Sequence, residues 1–267
     1  MSEHSIVTMT ADQYRAADGL NFSSLKILSD RSPAHFRAYM SGQSERETTP
    51  AMRFGSLVHS CILEPDKADY VVRPEGMVFT TKEGKGWRDS QTKEIVTATE
   101  EKTIKSMRDS VYSHPMASRL LCGGRAEQSL FARDSKGVMR KGRLDYLTDS
   151  GNVVIDLKTC EDASPDGFGK NVANYSYVKQ AYWYLKLAKL CGLKKDAFIF
   201  IAVEKTAPYA VACYQVPDDL LEGAGTIIEA DVQKFINCRM SNEWPAYGDG
   251  IQTLILPSWA EKQLTIN

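Results

Sequence analysis

The stretch "VVIDLKT", residues 153 to 159, sets Asp156 and Lys158 two positions apart in an otherwise apolar run. The run has the β-branched residues and flanking turn signals of a buried strand. Side chains alternate between the two faces of a strand, so Asp156 and Lys158 share one face. Ile155 and Leu157 share the opposite face. Because a buried charge is unfavourable unless it is paired, metal-bound or neutralised, the two charges indicate either a functional site or an ion pair.

A second carboxylate lies in the preceding strand, "KGRLDYL", where Asp145 precedes Asp156 by eleven residues. The turn signal at residues 150 to 152 predicts a tight hairpin that brings the two strands side by side. When two carboxylates lie so close together, the pKa of one of them is raised unless a cation lies between them. With the backbone carbonyl of Leu157 they form a hard oxygen site, which favours Mg²⁺ or Mn²⁺. An exposed cross-strand ion pair gives the same Asp-x-Lys letters, but Asp145 and the apolar strand favour the metal site.

The rest of the chain predicts a single α/β domain over residues 1–267. We expect residues 1–120 to be mainly helical, with Pro33 separating two short helices and a mobile surface loop near 69–97. We expect residues 121–267 to form the catalytic core. Its strands are "EQSLFARD", "GVMRKGRLDYLTD" and "NVVIDLKT", which form an antiparallel meander with turns at 135–137 and 150–152.

A long helix, "NYSYVKQAYWYLKLAKLCGL", follows the meander and ends at a Gly192 cap. Two more strands, "AFIFIAVEK" and "YAVACYQV", and a closing helix from about Asp218 to Met240 complete a β-β-β-α-β core. The expected fold is a central mixed β-sheet flanked by helices, with an N-terminal helical segment.

Composition limits the kinds of partner. The 267 residues are 43% hydrophobic and carry a formal net charge of −1, so contacts to nucleic acid would have to come from local basic patches. One such patch is a basic run before Asp145, which is either a solvated hairpin or a rim that contacts phosphates. It comprises Lys136, Arg140, Lys141 and Arg143.

Six cysteines without a short metal-ligand spacing are typical of reduced cytosolic thiols. The N-terminus lacks the features of a signal peptide, and no run of about 18 apolar residues is present. We therefore expect a cytoplasmic protein that makes no membrane contact.

Three motifs in order, "GRLDYL", "VVIDLKT" and "QAYWY", resemble the RecB-like branch of the PD-(D/E)xK nuclease superfamily, whose core is restriction-endonuclease-like. Gln180 and Tyr184 match the Q-x-x-x-Y of that branch. Upstream, "GSLVHSCILEP" resembles its helix-borne histidine motif, with His59 in the histidine place. Across nearly the whole chain the sequence is similar to the nuclease domain of the RecE-type exodeoxyribonuclease VIII family from prophages.

The resemblance implies a role for each motif residue. Asp145 and Asp156 would be catalytic metal ligands, Lys158 the catalytic lysine, His59 a further metal ligand or substrate-orienting group, and Gln180 and Tyr184 groups that position the DNA backbone or the lysine. Glu127 is a weaker candidate for an outer metal ligand, and the part of Glu64 is left open. Many relatives have glutamate where this chain has Asp156, which leaves the number of metal ions open.

Several of these residues also have a plain structural interpretation. A histidine on an apolar helix, such as His59, is commonly a hydrogen-bonded core residue. Gln180 and Tyr184 could equally be core polar groups, and the presumed loop carries a basic and aromatic set that could track a single strand. That set comprises Lys82, Lys85, Trp87 and Arg88.

The resemblance further implies a Mg²⁺-dependent 5′→3′ exonuclease, with Mn²⁺ able to substitute, that acts at double-stranded DNA ends and leaves 3′ single strands for homologous recombination. It implies a bacterial or prophage-encoded protein in a homo-oligomeric ring, a tetramer in preference to a trimer, and a single-strand annealing recombinase of the RecT/Bet type as partner. Two alternatives stay open: a structure-specific or single-strand endonuclease on the same fold, and a non-catalytic DNA-binding module. Processivity and a 5′-phosphate requirement are not determined by the sequence.

Overall fold

The computed structural model describes residues 4–43, 49–67, 70–149 and 151–264. Its strands are β1 (His4–Thr8), β2 (Tyr70–Val72), β3 (Glu94–Val96), β4 (Gly124–Arg133), β5 (Met139–Thr148), β6 (Val153–Cys160), β7 (Ala197–Glu204) and β8 (Val211–Gln215). Its helices are α1 (Ala11–Ala16), α2 (Phe22–Asp30), α3 (Pro33–Met40), α4 (Pro50–Leu63), α5 (Lys82–Asp89), α6 (Ala98–Ser113), α7 (Pro115–Leu120), α8 (Pro165–Tyr175), α9 (Tyr177–Leu190), α10 (Asp218–Ser241) and α11 (Ser258–Leu264).

Six strands form the central sheet in the order β1-β4-β5-β6-β7-β8. The β4-β5-β6 meander is antiparallel, as predicted, whereas β6 and β7 are parallel. The first turn of the meander lies at 135–137, where Gly137 has a φ of 77° and the Asp134 carboxylate accepts the backbone N–H groups of Lys136 and Val138. Ser150, in the second predicted turn, lies outside the described residues. The expected mixed sheet flanked by helices is confirmed.

The crossover from β6 to β7 consists of two helices, so the prediction of one long helix is wrong at its N-terminal end. Ser176 adopts a left-handed conformation with φ of 60°, which ends α8 and lets α9 begin in a new direction. Gly192 follows the end of α9 with a φ of 77°, as the predicted cap requires. The closing helix α10 runs one residue past its predicted end.

Helices cover both faces of the sheet at β6. Val154 packs in a core cluster with Ala181 and Leu185 of α9. Ile155 and Leu157 lie in a second cluster on the opposite face, with residues of α4 and α6. The predicted alternation along β6 is therefore confirmed, and both faces of this strand are buried.

Two parts of the N-terminal third differ from the expectation. Strand β1 was not predicted, and it extends the sheet by pairing antiparallel with β4. The mobile loop predicted near 69–97 is wrong over residues 70–96, because β2 and β3 form a parallel pair connected by α5. Val96 is fully buried in the cluster around α4 and α6, and Thr81 caps α5 by accepting the backbone N–H of Gly84 at 3.0 Å. The helix break at Pro33 is confirmed.

Within the described residues, no helix combines the length and the apolar character that crossing a membrane would require. All six cysteines are described and none forms a disulfide.

Candidate active site

The candidate site lies where β5 and β6 separate. The strands pair at Tyr146 with Ile155 and at Leu147 with Val154, and continuing this register by one residue places Asp145 opposite Asp156. There the Oδ2 atom of Asp145 accepts the backbone N–H of Leu157 at 3.0 Å. A side-chain carboxylate thus takes the place of a backbone acceptor and lies between the strands.

Asp156 and Lys158 meet on one face of β6, as the sequence predicts. The Lys158 Nζ atom lies 2.5 Å from Oδ2 of Asp156, whose side chain is 1% exposed. This contact is a buried ion pair, and the other carboxylate oxygen, Oδ1, has no hydrogen-bond partner among the described residues. Burial, and then the charge of Asp145, raises the pKa of Asp156 to about 6.

Lys158 keeps its charge. Burial lowers the pKa of its ammonium, but the neighbouring carboxylates of Asp156 and Asp145 outweigh burial, so that the net direction is upward. On another side, the ammonium faces the ring of Tyr177 at 4.6 Å from the ring centroid.

His59 projects from α4 toward the same place. Its Nδ1 atom lies 3.5 Å from Oδ2 of Asp145. Burial, and then the charge of Lys158, lowers the pKa of His59 to about 4, so the imidazole is neutral near pH 7. A neutral imidazole is the form that binds a metal ion.

Glu127 joins these residues more closely than the sequence indicated. Ala126 pairs with Tyr146 and Gln128 pairs with Leu144, which puts Glu127 opposite Asp145 in β4. Its φ of 54° is a left-handed value inside a strand. Burial and the charge of Asp145 raise the pKa of Glu127 to about 7, although Arg143 lies 2.5 Å from its carboxylate.

The donor set fits a divalent cation. One ligand atom each of His59, Glu127 and Asp145 lie within 4.8 Å of one another. The buried carboxylate of Asp156, which is ion-paired with Lys158, lies on the next strand. Carboxylates, a carbonyl and one neutral imidazole suit Mg²⁺ or Mn²⁺. Asp156 and Leu157 stay predicted ligands, since they are not in the three-residue cluster.

Gln180 and Tyr184 come together on α9. The Gln180 amide donates to the Tyr184 hydroxyl at 3.3 Å, and the Tyr184 ring stacks near Phe198 at 6.3 Å. The ring that faces Lys158 is instead that of Tyr177, which sequence reasoning missed. Tyr177 lies three residues before Gln180 and seven before Tyr184, so the helical period already places it on their face.

The predicted basic rim is wrong at two of its four positions. Arg140 is buried between Asp134, at 2.8 Å, and Glu229, at 2.8 and 2.9 Å. The Lys141 ammonium is also buried and donates to the backbone carbonyls of Tyr14 and Ala17. Both side chains are bound to partners inside the protein, so neither is available to contact a phosphate.

Arg143 and Tyr184 line a cleft of about 490 Å³ whose other walls include residues of α1 and α2, together with Tyr39. Glu64 pairs with Lys67 at 2.7 Å and adds only to the charge around Glu127.

Comparison with known proteins agrees with this geometry. The family model described as "PDDEXK-like domain of unknown function (DUF3799)" matches residues 21–257. Among solved structures, the chain is similar to one named "Putative exonuclease" from Eubacterium rectale, with a TM-score of 0.67 and 15% identity over 97% of this chain and 100% of that chain. A weaker similarity is to SSO0001, with a TM-score of 0.40 and 13% identity over 83% of this chain and 81% of that one. The curated proteins contain no significant match.

Proposed function

The chain belongs to the PDDEXK-like family DUF3799, whose fold supports a nuclease, and from that premise we propose that it is a Mg²⁺-dependent exonuclease of double-stranded DNA. The proposed polarity is 5′→3′, which leaves 3′ single-stranded DNA for homologous recombination. The observation that carries the proposal is the meeting of His59, Glu127 and Asp145 with the Asp156–Lys158 pair where β5 and β6 separate.

The chemistry proposed is hydrolysis of a phosphodiester. Asp145, Asp156, Glu127, His59 and the Leu157 carbonyl would hold the metal ion, and Mn²⁺ could replace Mg²⁺. A bound divalent cation lowers the pKa of a water and neutralises charge on the phosphate.

Lys158 retains its proton at Nζ and would stabilise the negative charge that builds on the phosphate oxygens in the transition state. A water oxygen bonds to phosphorus, the bond from phosphorus to the 3′ oxygen breaks, and the leaving oxygen takes up a proton, which releases a 5′ mononucleotide.

The finer parts of the proposal rest on different support. The name of the structural neighbour from Eubacterium rectale supports an exonuclease in preference to an endonuclease. The polarity, a ring of this chain with four copies in preference to three, and a RecT/Bet-type annealing recombinase as partner rest on the sequence resemblance.

One experiment separates the proposal from its alternatives. Pure protein and Mg²⁺ are incubated with linear duplexes labelled at the 5′ or the 3′ ends and with the same DNA as a closed circle. We expect early release of the 5′ label, retention of the 3′ label on the remaining single strands and an intact circle. Cleavage of the circle would favour an endonuclease, and binding without digestion would favour a non-catalytic module.

A further inference from the structure

The ring of Tyr177 lies against the ammonium of Lys158, 4.6 Å from the ring centroid. We infer that Tyr177 is a positioning residue that holds Lys158 toward the reacting phosphate through a cation–π contact. The inference rests on the proposed function. It assigns a role to a residue outside the Asp, Asp-x-Lys and Gln-x-x-x-Tyr motifs.

Other aromatic rings hold the Tyr177 ring in place. Its centroid lies 5.6 Å from that of Phe200 on β7, 5.6 Å from that of Tyr175 and 6.4 Å from that of Phe168. Because Tyr177 directly follows the left-handed residue Ser176, it is the first residue of α9, and its backbone is fixed by the junction of two helices. A ring packed in this way can define the position of a flexible lysine.

The ring suits this task for an electrostatic reason. The neighbours of Lys158 include the Asp156 carboxylate at 2.5 Å and the Tyr177 ring. Asp156 is also a candidate metal ligand, so its oxygens are shared between two cations. The ring does not compete for a metal ion, and its face attracts an ammonium. Burial raises the pKa of Tyr177, so the ring is neutral near pH 7 and acts by its quadrupole.

Gln180 and Tyr184 do not provide the same contact. Their polar groups hydrogen-bond to each other, and the Tyr184 ring lies beside Phe198. On the shared face of α9, Tyr177 is thus the residue that contacts the catalytic lysine.

The test compares Tyr177→Phe, Tyr177→Leu and the control Phe168→Leu. All are assayed with linear duplex for kcat and KM, and Mn²⁺ binding is measured calorimetrically. Phe168 is buried in the same aromatic cluster, so its loss weakens packing without removing the ring over Lys158. We expect Tyr177→Phe to keep kcat within about threefold, and Tyr177→Leu to lose about tenfold in kcat with KM and Mn²⁺ affinity unchanged. Phe168→Leu loosens the packing around Tyr177 but keeps the ring over Lys158, so its loss of kcat should be clearly smaller than that of Tyr177→Leu.

A second series keeps the result interpretable if the leucine variant does not fold. Phenylalanine with one, two or three ring fluorines at position 177 preserves ring shape while weakening the attraction for a cation. The expected result is a kcat that falls stepwise with each fluorine. A flat series, or equal losses in Tyr177→Leu and Phe168→Leu, would overturn the inference. Inactive wild-type protein would instead contradict the proposed function, so the two failures are distinguishable.

Discussion

The side chain of Asp145 accepts the backbone N–H of Leu157 at the point where β5 and β6 part. This hydrogen bond gives Asp145 a structural task in addition to its proposed place at the metal. Substitutions can distinguish the two roles, because the hydrogen bond requires only an acceptor oxygen at position 145 whereas metal binding requires a negatively charged carboxylate.

Asp145→Asn should therefore fold but lose activity. The asparagine oxygen can still accept from Leu157, and the buried site loses a carboxylate whose pKa is raised by burial. We expect a melting temperature at or above that of wild type, and nuclease activity lower by at least about 100-fold because a direct ligand is lost. Asp145→Ala, which lacks the acceptor, should melt lower than Asp145→Asn. Activity of Asp145→Asn close to wild type would contradict the assignment.

Stabilisation by Mg²⁺ should increase with pH. In the folded chain the pKa of Asp156 is about 6 and that of Glu127 about 7, both above their ordinary values. Such carboxyls contribute stability below their unfolded pKa and lose it as pH rises through the folded pKa. A cation binds the ionised forms, so it restores that loss. In the folded chain His59 has a pKa of about 4 and stays neutral above about pH 5.5. It therefore does not alter how the stabilisation by Mg²⁺ depends on pH.

The measurement is the melting temperature with excess MgCl₂ and with chelator at about pH 5.5 and about pH 8. The shift in melting temperature produced by Mg²⁺ should be larger at the higher pH. The double variant Glu127→Gln/Asp156→Asn should abolish this shift. Equal shifts at both pH values would argue against these carboxylates as ligands.

Two glycines on α10 should respond oppositely to alanine. A methyl group on Gly225 would lie 2.5 Å from the Tyr182 ring of α9, whereas one on Gly223 meets nothing within 4 Å. Gly225→Ala should lower the free energy of unfolding by about 1–3 kcal/mol through overpacking. Gly223→Ala should raise it by about 0.5–1 kcal/mol through helix propensity and chain entropy. Urea unfolding checks both, and a stable Gly225→Ala would show that the two helices pack less closely than described.

Arg140 and Lys136 offer a matched pair, since both are cations next to Glu229. Arg140 is 1% exposed and bonds both Asp134 and Glu229, whereas Lys136 is 38% exposed and lies 3.9 Å from Glu229. Arg140→Met should cost about 3–5 kcal/mol because it removes the guanidinium that neutralises the buried Asp134 carboxylate and the partly exposed Glu229. Lys136→Met should cost less than about 1 kcal/mol. Equal costs in urea unfolding would contradict the buried network.

Local rules were sufficient for the strand that holds the site. The alternation along β6, the meander and the helix break at Pro33 depend on neighbours within a few residues, and the sequence shows those neighbours directly. The convergence of His59 on Asp145 could not be obtained in this way, since 86 positions separate them. It was expected only because ordered motifs resemble a known family.

Features that depend on distant partners were missed. Strand β1 forms because β4 offers an edge more than a hundred residues away. The sequence predicted an exposed rim that includes Arg140 and Lys141. Their actual partners, Glu229 and the backbone carbonyls near Tyr14, are far away in sequence and could not be anticipated. Residues 70–96 are polar over much of their length, and their fixed structure depends on the packing of Tyr70, Val72 and Val96 against distant helices.

The central claim is that Asp156 and Lys158 belong to a metal-dependent nuclease site. It is tested most directly by incubating linear 5′-labelled duplex and Mg²⁺ with wild type, Asp156→Ala and Lys158→Met, beside Lys189→Met, which replaces an exposed lysine of α9. The account predicts mononucleotides from wild type and Lys189→Met, and intact duplex from Asp156→Ala, from Lys158→Met and from wild type with chelator. Equal digestion by Asp156→Ala and wild type, or no digestion by pure wild type, would contradict it.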